Sequence, residues 1–184
     1  ILKKMIAAFD QTPAGMQLDL TEAAKARKLE APAPNFSHTL EGGNAALGKD
    51  IFMNHISAQC IRCHKVADGK GSDIGPNLKS VGLHHDRPFL LESLIDPQKV
   101  IDEGYGTISI TLNDGKSVGG QFRGEKDGIV EIRDFEGKSL KIKTDQIKER
   151  SEVISTMPPM GAILKKREIR DVIEYLSTLR AEKK

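Results

Sequence analysis

The chain has 184 residues, of which 38% are hydrophobic, 29% charged and only 4% aromatic. This composition is typical of a folded globular chain of one or two domains and excludes an intrinsically disordered one. The 28 basic and 26 acidic residues nearly cancel, leaving a net charge of +2, so no nucleic-acid partner is predicted. The sequence has no run of about 18 apolar residues, so no membrane-spanning helix is predicted.

Residues 1–40 are predicted to be an N-terminal helical extension followed by a linker. Thr21 to Leu29 have a helical pattern with a threonine at the start, where a side-chain hydroxyl can cap a helix. Ala31 to Pro34 contain two prolines, which end a helix and favour an extended linker.

Residues 41–104 contain two further helix signals. Asn44 is suited to cap a helix that carries a narrow apolar stripe of Leu47, Ile51 and Phe52 beside Gly48. Asp86 and Pro88 are typical of the first turn of another helix. Its predicted buried residues are Phe89, Leu90, Leu91, Leu94 and Ile95.

The pattern changes at about Tyr105, where apolar residues begin to alternate with threonine and serine. Alternation of this kind predicts strands, and Asn113-Asp114-Gly115 predicts a tight hairpin turn. Four strands are expected over residues 105–150, as a small antiparallel β-subdomain. Residues 151–184 return to helical spacing, with apolar residues at Ile169, Val172, Ile173, Leu176 and Leu179.

The strongest functional motif is Cys60-Ile61-Arg62-Cys63-His64, which has the C-x-x-C-H pattern of c-type haem attachment. Two thiols at this spacing can form thioethers with the two vinyl groups of one porphyrin. The adjacent imidazole can then bind the iron as proximal ligand. The sequence therefore predicts one covalently bound haem c per chain.

Two other uses of these cysteines stay open at this stage. A structural zinc site needs four ligands, and only the scattered His55, His84 and His85 are available to complete it. A redox-active C-x-x-C pair typically begins a helix after a strand. Here a predicted helix precedes the cysteines and a glycine-rich loop follows them.

The surrounding motifs resemble the class I cytochrome c family. Gly75-Pro76-Asn77-Leu78 is similar to the segment that follows the haem motif in that family. The resemblance implies that the Pro76 carbonyl accepts a hydrogen bond from His64 and that Leu78 packs on the haem. It also implies a mainly-α class I core, α+β overall, with the β-subdomain inserted between residues 41–104 and residues 151–184.

The sixth iron ligand implied by the resemblance is Met157, because Met157-Pro158-Pro159 is similar to the methionine loop of several bacterial members. With His64 it would complete the iron ligands, and a methionine thioether would raise the reduction potential. Met160 in place of Met157, or His84 or His85 in a bis-histidine site, are the alternatives.

A closer resemblance extends from Gly48 to Leu179. This run is similar to the haem-binding domain found in secreted proteins of Planctomycetes and Verrucomicrobia. Shared segments include Leu91 to Pro97 and Met157 to Gly161. The resemblance implies an electron-transfer module rather than an enzyme, with a fused or partner dehydrogenase as donor and a downstream cytochrome or oxidase as acceptor.

Haem attachment of this kind takes place outside the bacterial cytoplasm, so a periplasmic or otherwise exported location is expected. Because the chain begins at Ile1, we expect a processed protein or an excised fragment. Homodimerisation through the β-subdomain is a further expectation. The rival function is a haem-based sensor or a peroxidase-like enzyme, which would need a labile sixth ligand.

Overall fold

The computed structural model describes residues 36–66 and 68–181. The helices predicted before residue 36 therefore lie outside the described residues. The chain divides into two compact units. One contains the residues up to Asp96 and those from Pro159 onward, and the other is Pro97–Pro158. They are called the helical unit and the sheet unit below.

The described part of the helical unit contains five α-helices and two 3-10 turns. The helices are α1 (Ala45–Asn54), α2 (Cys60–Cys63), α3 (Val81–His84), α4 (Arg87–Ile95) and α5 (Lys166–Thr178). The 3-10 turns are Ser37–Thr39 and Met160–Ala162.

The longer helices begin where the sequence provides acceptors for their first amide groups. The Asn44 side chain accepts hydrogen bonds from two amides of α1, and the Asp86 carboxylate accepts one from the Phe89 amide in α4. At α5, the Glu168 carboxylate accepts a hydrogen bond from the Lys165 backbone amide at 2.7 Å. The two predicted starts, at Asn44 and Asp86, are thus present, whereas the start of α5 had no clear signal in the sequence.

Helix α5 is the centre of the helical unit, because it contacts α1, α3, α4 and both 3-10 turns. Ile169, Val172 and Ile173 of this helix are fully buried. Its approach to α1 is close enough to require glycine. A Cβ atom added to Gly48 would lie 1.8 Å from the carbonyl oxygen of Asp171.

The sheet unit contains one antiparallel sheet of six strands. They are β1 (Gly106–Leu112), β2 (Ser117–Lys126), β3 (Ile129–Asp134), β4 (Ser139–Lys143), β5 (Ile147–Arg150) and β6 (Ile154–Ser155). The order is β4-β3-β2-β1-β5, and β6 pairs with the start of β1. A separate apolar core covers one face of the sheet, formed by Ile108, Ile110, Val130, Ile132 and Ile142.

The prediction of a mainly-α class I cytochrome c core with a small four-stranded insert is wrong. The described residues form five α-helices, two of them only four residues long, and a sheet of six strands rather than four. The sheet was underestimated because β5 and β6 bury almost no side chains. Their pairing with β1 depends on backbone hydrogen bonds, which leave no alternation in the sequence.

Candidate functional site

The two cysteines and His64 lie on one short turn of the helical unit. Cys60 and Cys63 begin and end α2, and both are free thiols. Cys60 is half-buried, whereas Cys63 is exposed. His64 follows with an extended backbone, and its amide donates a hydrogen bond of 3.0 Å to the Cys60 carbonyl oxygen. This turn brings two thiols and one imidazole together.

The orientation of the His64 ring is set by Pro76. The distance between His64 Nδ1 and the Pro76 carbonyl oxygen is 2.9 Å. Because a carbonyl oxygen can only accept, Nδ1 must carry the proton of this bond. In the neutral ring the lone pair is then on Nε2, which is the atom that would bind a metal. The hydrogen bond expected between His64 and Pro76 is therefore present.

The loop that contains Pro76 is tied back to the haem motif by its backbone. The Gly75 amide donates to the Cys63 carbonyl oxygen at 2.7 Å, and the Leu78 amide donates to the Lys65 carbonyl oxygen at 2.8 Å. A Cβ atom on Gly75 would lie 2.7 Å from His64 Cε1. Gly75 therefore leaves room for the imidazole, and half-buried Leu78 lies on the same loop.

The turn before α2 is held by His55 and Gln59. His55 Nδ1 accepts hydrogen bonds from the amides of Ser57 and Ala58, at 3.3 and 3.1 Å. Gln59 has the left-handed backbone that non-glycine residues rarely adopt, with φ of 46°. Its side chain donates to the Ile56 carbonyl oxygen and accepts from Arg62. These contacts fix the chain immediately before Cys60.

The helical unit exposes several large apolar side chains, two of them close to the haem motif along the chain. Four large apolar residues of this unit are substantially exposed, with exposed fractions between 47% and 85%. They are Leu47, Ile56, Ile74 and Leu83. Ile56 lies four residues before Cys60, and Ile74 immediately precedes the glycine that packs against His64. Covering Ile56 and Ile74 with an apolar face would be favourable, and together with two thiols and one imidazole on a single turn these residues fit a covalently attached haem.

The two candidate methionine ligands lie in different settings. Met157 belongs to the sheet unit, is half-buried, and donates its amide hydrogen to Ser155 Oγ at 3.2 Å. The helical unit therefore does not itself bring Met157 to His64. Met160 belongs to the helical unit and is 3% exposed, as a core side chain. Met157 as sixth ligand stays a prediction.

The alternative histidine ligands and the zinc site have less support. His84 is exposed, and the His85 ring is stacked on Phe89 with ring centroids 3.9 Å apart. His55 Nδ1 is already used by two backbone amides. Over residues 36–66 and 68–181, no group of three or more histidine, cysteine and acidic side chains is placed to hold a metal ion.

The environment of Cys60 also differs from that of a redox-active cysteine. Burial raises the pKa of the Cys60 thiol to about 11, and the neighbouring Cys63 adds to the rise. Catalytic and redox cysteines have a lowered pKa, because the thiolate is the nucleophile. Cys60 is therefore a poor attacking thiol at neutral pH.

In protein made without haem, we expect iodoacetamide at pH 8 to alkylate Cys63 before Cys60. The raised pKa reduces the thiolate fraction of Cys60 by about a hundredfold. The greater nucleophilicity of a high-pKa thiolate recovers about a factor of ten. Mass spectrometry of peptides should thus show Cys60 reacting at least about tenfold more slowly than in urea-unfolded protein. Equal rates for Cys60 in the folded and unfolded protein would contradict the burial argument.

Sequence reasoning missed three residues that shape this site, namely Gln59, Ser72 and Gly75 as a packing partner of His64. The glycine-proline pair did carry a signal for Gly75, since it marked a turn after the haem motif. The sequence gives no signal for Gln59 or Ser72. Their roles depend on contacts that exist only in the folded chain.

No protein-family model matches the chain, and no curated protein sequence matches it. None of the helices within residues 36–66 and 68–181 has the length and apolar character needed to cross a membrane.

Proposed function

We propose that this chain carries one haem c and transfers single electrons. Cys60 and Cys63 would attach the haem, and His64 would bind the iron. The observation that carries the proposal is the 2.9 Å hydrogen bond between His64 Nδ1 and the Pro76 carbonyl oxygen. It holds the imidazole in the tautomer that a proximal iron ligand requires, directly beside two free thiols.

The residues of the site have separate roles in this proposal. Cys60 and Cys63 would hold the haem covalently, each through a thioether bond to one porphyrin vinyl group. The bound haem supplies a reversible one-electron couple between ferric and ferrous iron. The Pro76 carbonyl fixes the His64 ring and increases its basicity. Leu78 would provide an apolar contact for the haem.

Several further features belong to the same proposal. Met157 stays the iron ligand expected from the resemblance, and the chain would be located in the periplasm or otherwise exported. A dehydrogenase supplies the electron, and a cytochrome or oxidase receives it.

Lys65 and Lys70 flank the motif, but each lies beside an aspartate of its own loop. Lys65 pairs with Asp73, and Lys70 pairs with Asp68. Positive charge available for guiding a partner is thereby reduced.

The test is production in bacteria that contain a haem c maturation system. We expect red protein whose mass is increased by one haem and whose absorbance survives denaturation. The Cys60→Ser/Cys63→Ser double variant should lose the covalent haem completely, and His84→Ala should retain it as a matched control. Colourless wild-type protein, or covalent haem in the double variant, would disprove the proposal.

The spectrum of the same material tests electron transfer against the sensor or peroxidase-like alternative. A low-spin ferric spectrum with slow carbon monoxide binding to the ferrous form supports a six-coordinate electron carrier. A high-spin spectrum with fast carbon monoxide binding favours the alternative. Met157→Ala and Met160→Ala then separate the two methionines, since only loss of the true ligand should change the spin state.

A further inference from the structure

Helix α2 needs partners outside itself for its last carbonyl groups. A helix leaves its final four carbonyl oxygens without partners inside the helix, and α2 has only four residues. Two of these oxygens, on Arg62 and Cys63, accept hydrogen bonds from residues 71–76, which we call the strap. The donors are the Ser72 hydroxyl at 2.5 Å and the Gly75 amide at 2.7 Å.

The strap lies directly against His64 at both ends. A Cβ atom on Gly71 would lie 2.0 Å from the His64 carbonyl oxygen, and Gly71 has a φ of +106°. At the other end, Gly75 packs against the imidazole ring, and the Pro76 carbonyl oxygen accepts a hydrogen bond from its Nδ1. The strap can therefore support the ring only while it stays at this distance from α2.

The Ser72 hydroxyl is the side-chain contact that ties the strap directly to α2, and the ion pair between Lys65 and Asp73 ties the strap to the residue after His64. The Ser72 hydroxyl donates to the Arg62 carbonyl oxygen, and its oxygen accepts a longer bond of 3.4 Å from the Ile74 amide. The donor direction of the hydroxyl is thus set by the strap itself. Removing it would leave the Arg62 carbonyl oxygen without this donor, and the strap would be held to α2 by the Gly75 amide alone.

We propose that Ser72 is a positioning residue for His64. It acts through the Arg62 carbonyl oxygen and holds the strap where the Pro76 carbonyl meets His64 Nδ1. The consequence for iron rests on the proposed function. A shorter, better-held hydrogen bond makes the imidazole more basic and favours ferric iron. Loss of the Ser72 contact should loosen that bond and raise the reduction potential.

The test compares Ser72→Ala with Ser72→Thr, which keeps the hydroxyl, and with Ser93→Ala. Ser93 is a matched control because its hydroxyl also donates to a backbone carbonyl of the helical unit, Phe89 at 2.9 Å, away from the motif. The first readout is solvent exchange of the His64 Nδ1 proton, measured by NMR on ¹⁵N-labelled protein. The second is the reduction potential of the haem-loaded protein.

For Ser72→Ala we expect about tenfold faster exchange of the His64 Nδ1 proton, the effect of losing one hydrogen bond, together with a higher reduction potential. Ser72→Thr should restore both values, and Ser93→Ala should change neither. Wild-type exchange and potential in Ser72→Ala would overturn the proposal, as would equal shifts in Ser93→Ala. Exchange can also be measured without haem, so failure of haem attachment would refute the proposed function and leave the role of Ser72 testable.

Discussion

Replacing Gly48 by alanine is expected to destabilise the helical unit by about 3 kcal/mol. The new Cβ atom would lie 1.8 Å from the Asp171 carbonyl oxygen and 2.9 Å from Tyr175 Cβ. Because the closer atom belongs to the α5 backbone, no side-chain rotation can relieve the overlap. Helices α1 and α5 must move apart, which weakens the contact between the Phe52 and Tyr175 rings, now 5.7 Å apart.

Whether Gly48→Ala raises or lowers the stability distinguishes two cases. Alanine is favoured over glycine inside a helix by about 1 kcal/mol, so a helix without the close approach would become more stable. Separating α1 from α5 would also strain the 2.9 Å hydrogen bond from the Asn44 amide to the buried Asp171 carboxylate. Destabilisation would therefore demonstrate the close approach between these helices.

The measurement is amide hydrogen exchange across α1 and α5, combined with chemical denaturation. Gly119→Ala is the control, because a Cβ atom there meets nothing nearer than 3.5 Å. Its expected change is within about 0.5 kcal/mol. A second control, Ala46→Gly on the exposed face of α1, should cost about 1 kcal/mol. Unchanged or slower exchange in Gly48→Ala would show that the helices tolerate the extra methyl group.

The sheet shows which strands local sequence can predict. Ile108 and Ile110 alternate with threonine and serine because one face of β1 covers the core and the other faces solvent. By contrast, Ile147–Arg150 is mostly charged and exposed. It becomes a strand because its backbone pairs with β1, a long-range contact that leaves no local pattern. The fold-class prediction failed at such strands.

The candidate site likewise contains residues that local sequence can predict and residues that it cannot. Motif spacing selects Cys60, Cys63 and His64 as candidates, since covalent haem attachment would require that spacing, and the structure places them on one turn. The contact from Pro76 to His64 was expected from the resemblance, and the hydrogen bond is present. Ser72 could not have been predicted, because its partner is a backbone carbonyl that looks the same for every residue type. Gln59 occupies a left-handed conformation that sequence would assign to glycine or asparagine.

Replacing Gly75 by alanine should cost less stability than Gly48→Ala but should have a larger effect on the orientation of His64. The new Cβ atom would lie 2.7 Å from His64 Cε1 and 2.9 Å from Nδ1. The two closest atoms belong to a side chain that can rotate, so the ring moves, while the Cys63 carbonyl oxygen at 3.2 Å needs to shift by only a few tenths of an ångström. The cost in stability is then about 1 kcal/mol, that of one hydrogen bond.

The functional consequence of Gly75→Ala follows from the displacement of His64 Nδ1. Once the ring turns, Nδ1 no longer donates to the Pro76 carbonyl oxygen, and neither the tautomer nor the direction of Nε2 is fixed. NMR of ¹⁵N-labelled histidine should show mixed tautomers at His64, and the haem-loaded variant should have a raised potential and a partly high-spin spectrum. Pro76→Ala is the matched control, because it keeps the accepting carbonyl and should leave the tautomer unchanged. If Gly75→Ala retains a single Nδ1-protonated tautomer, the ring is oriented by something other than the strap.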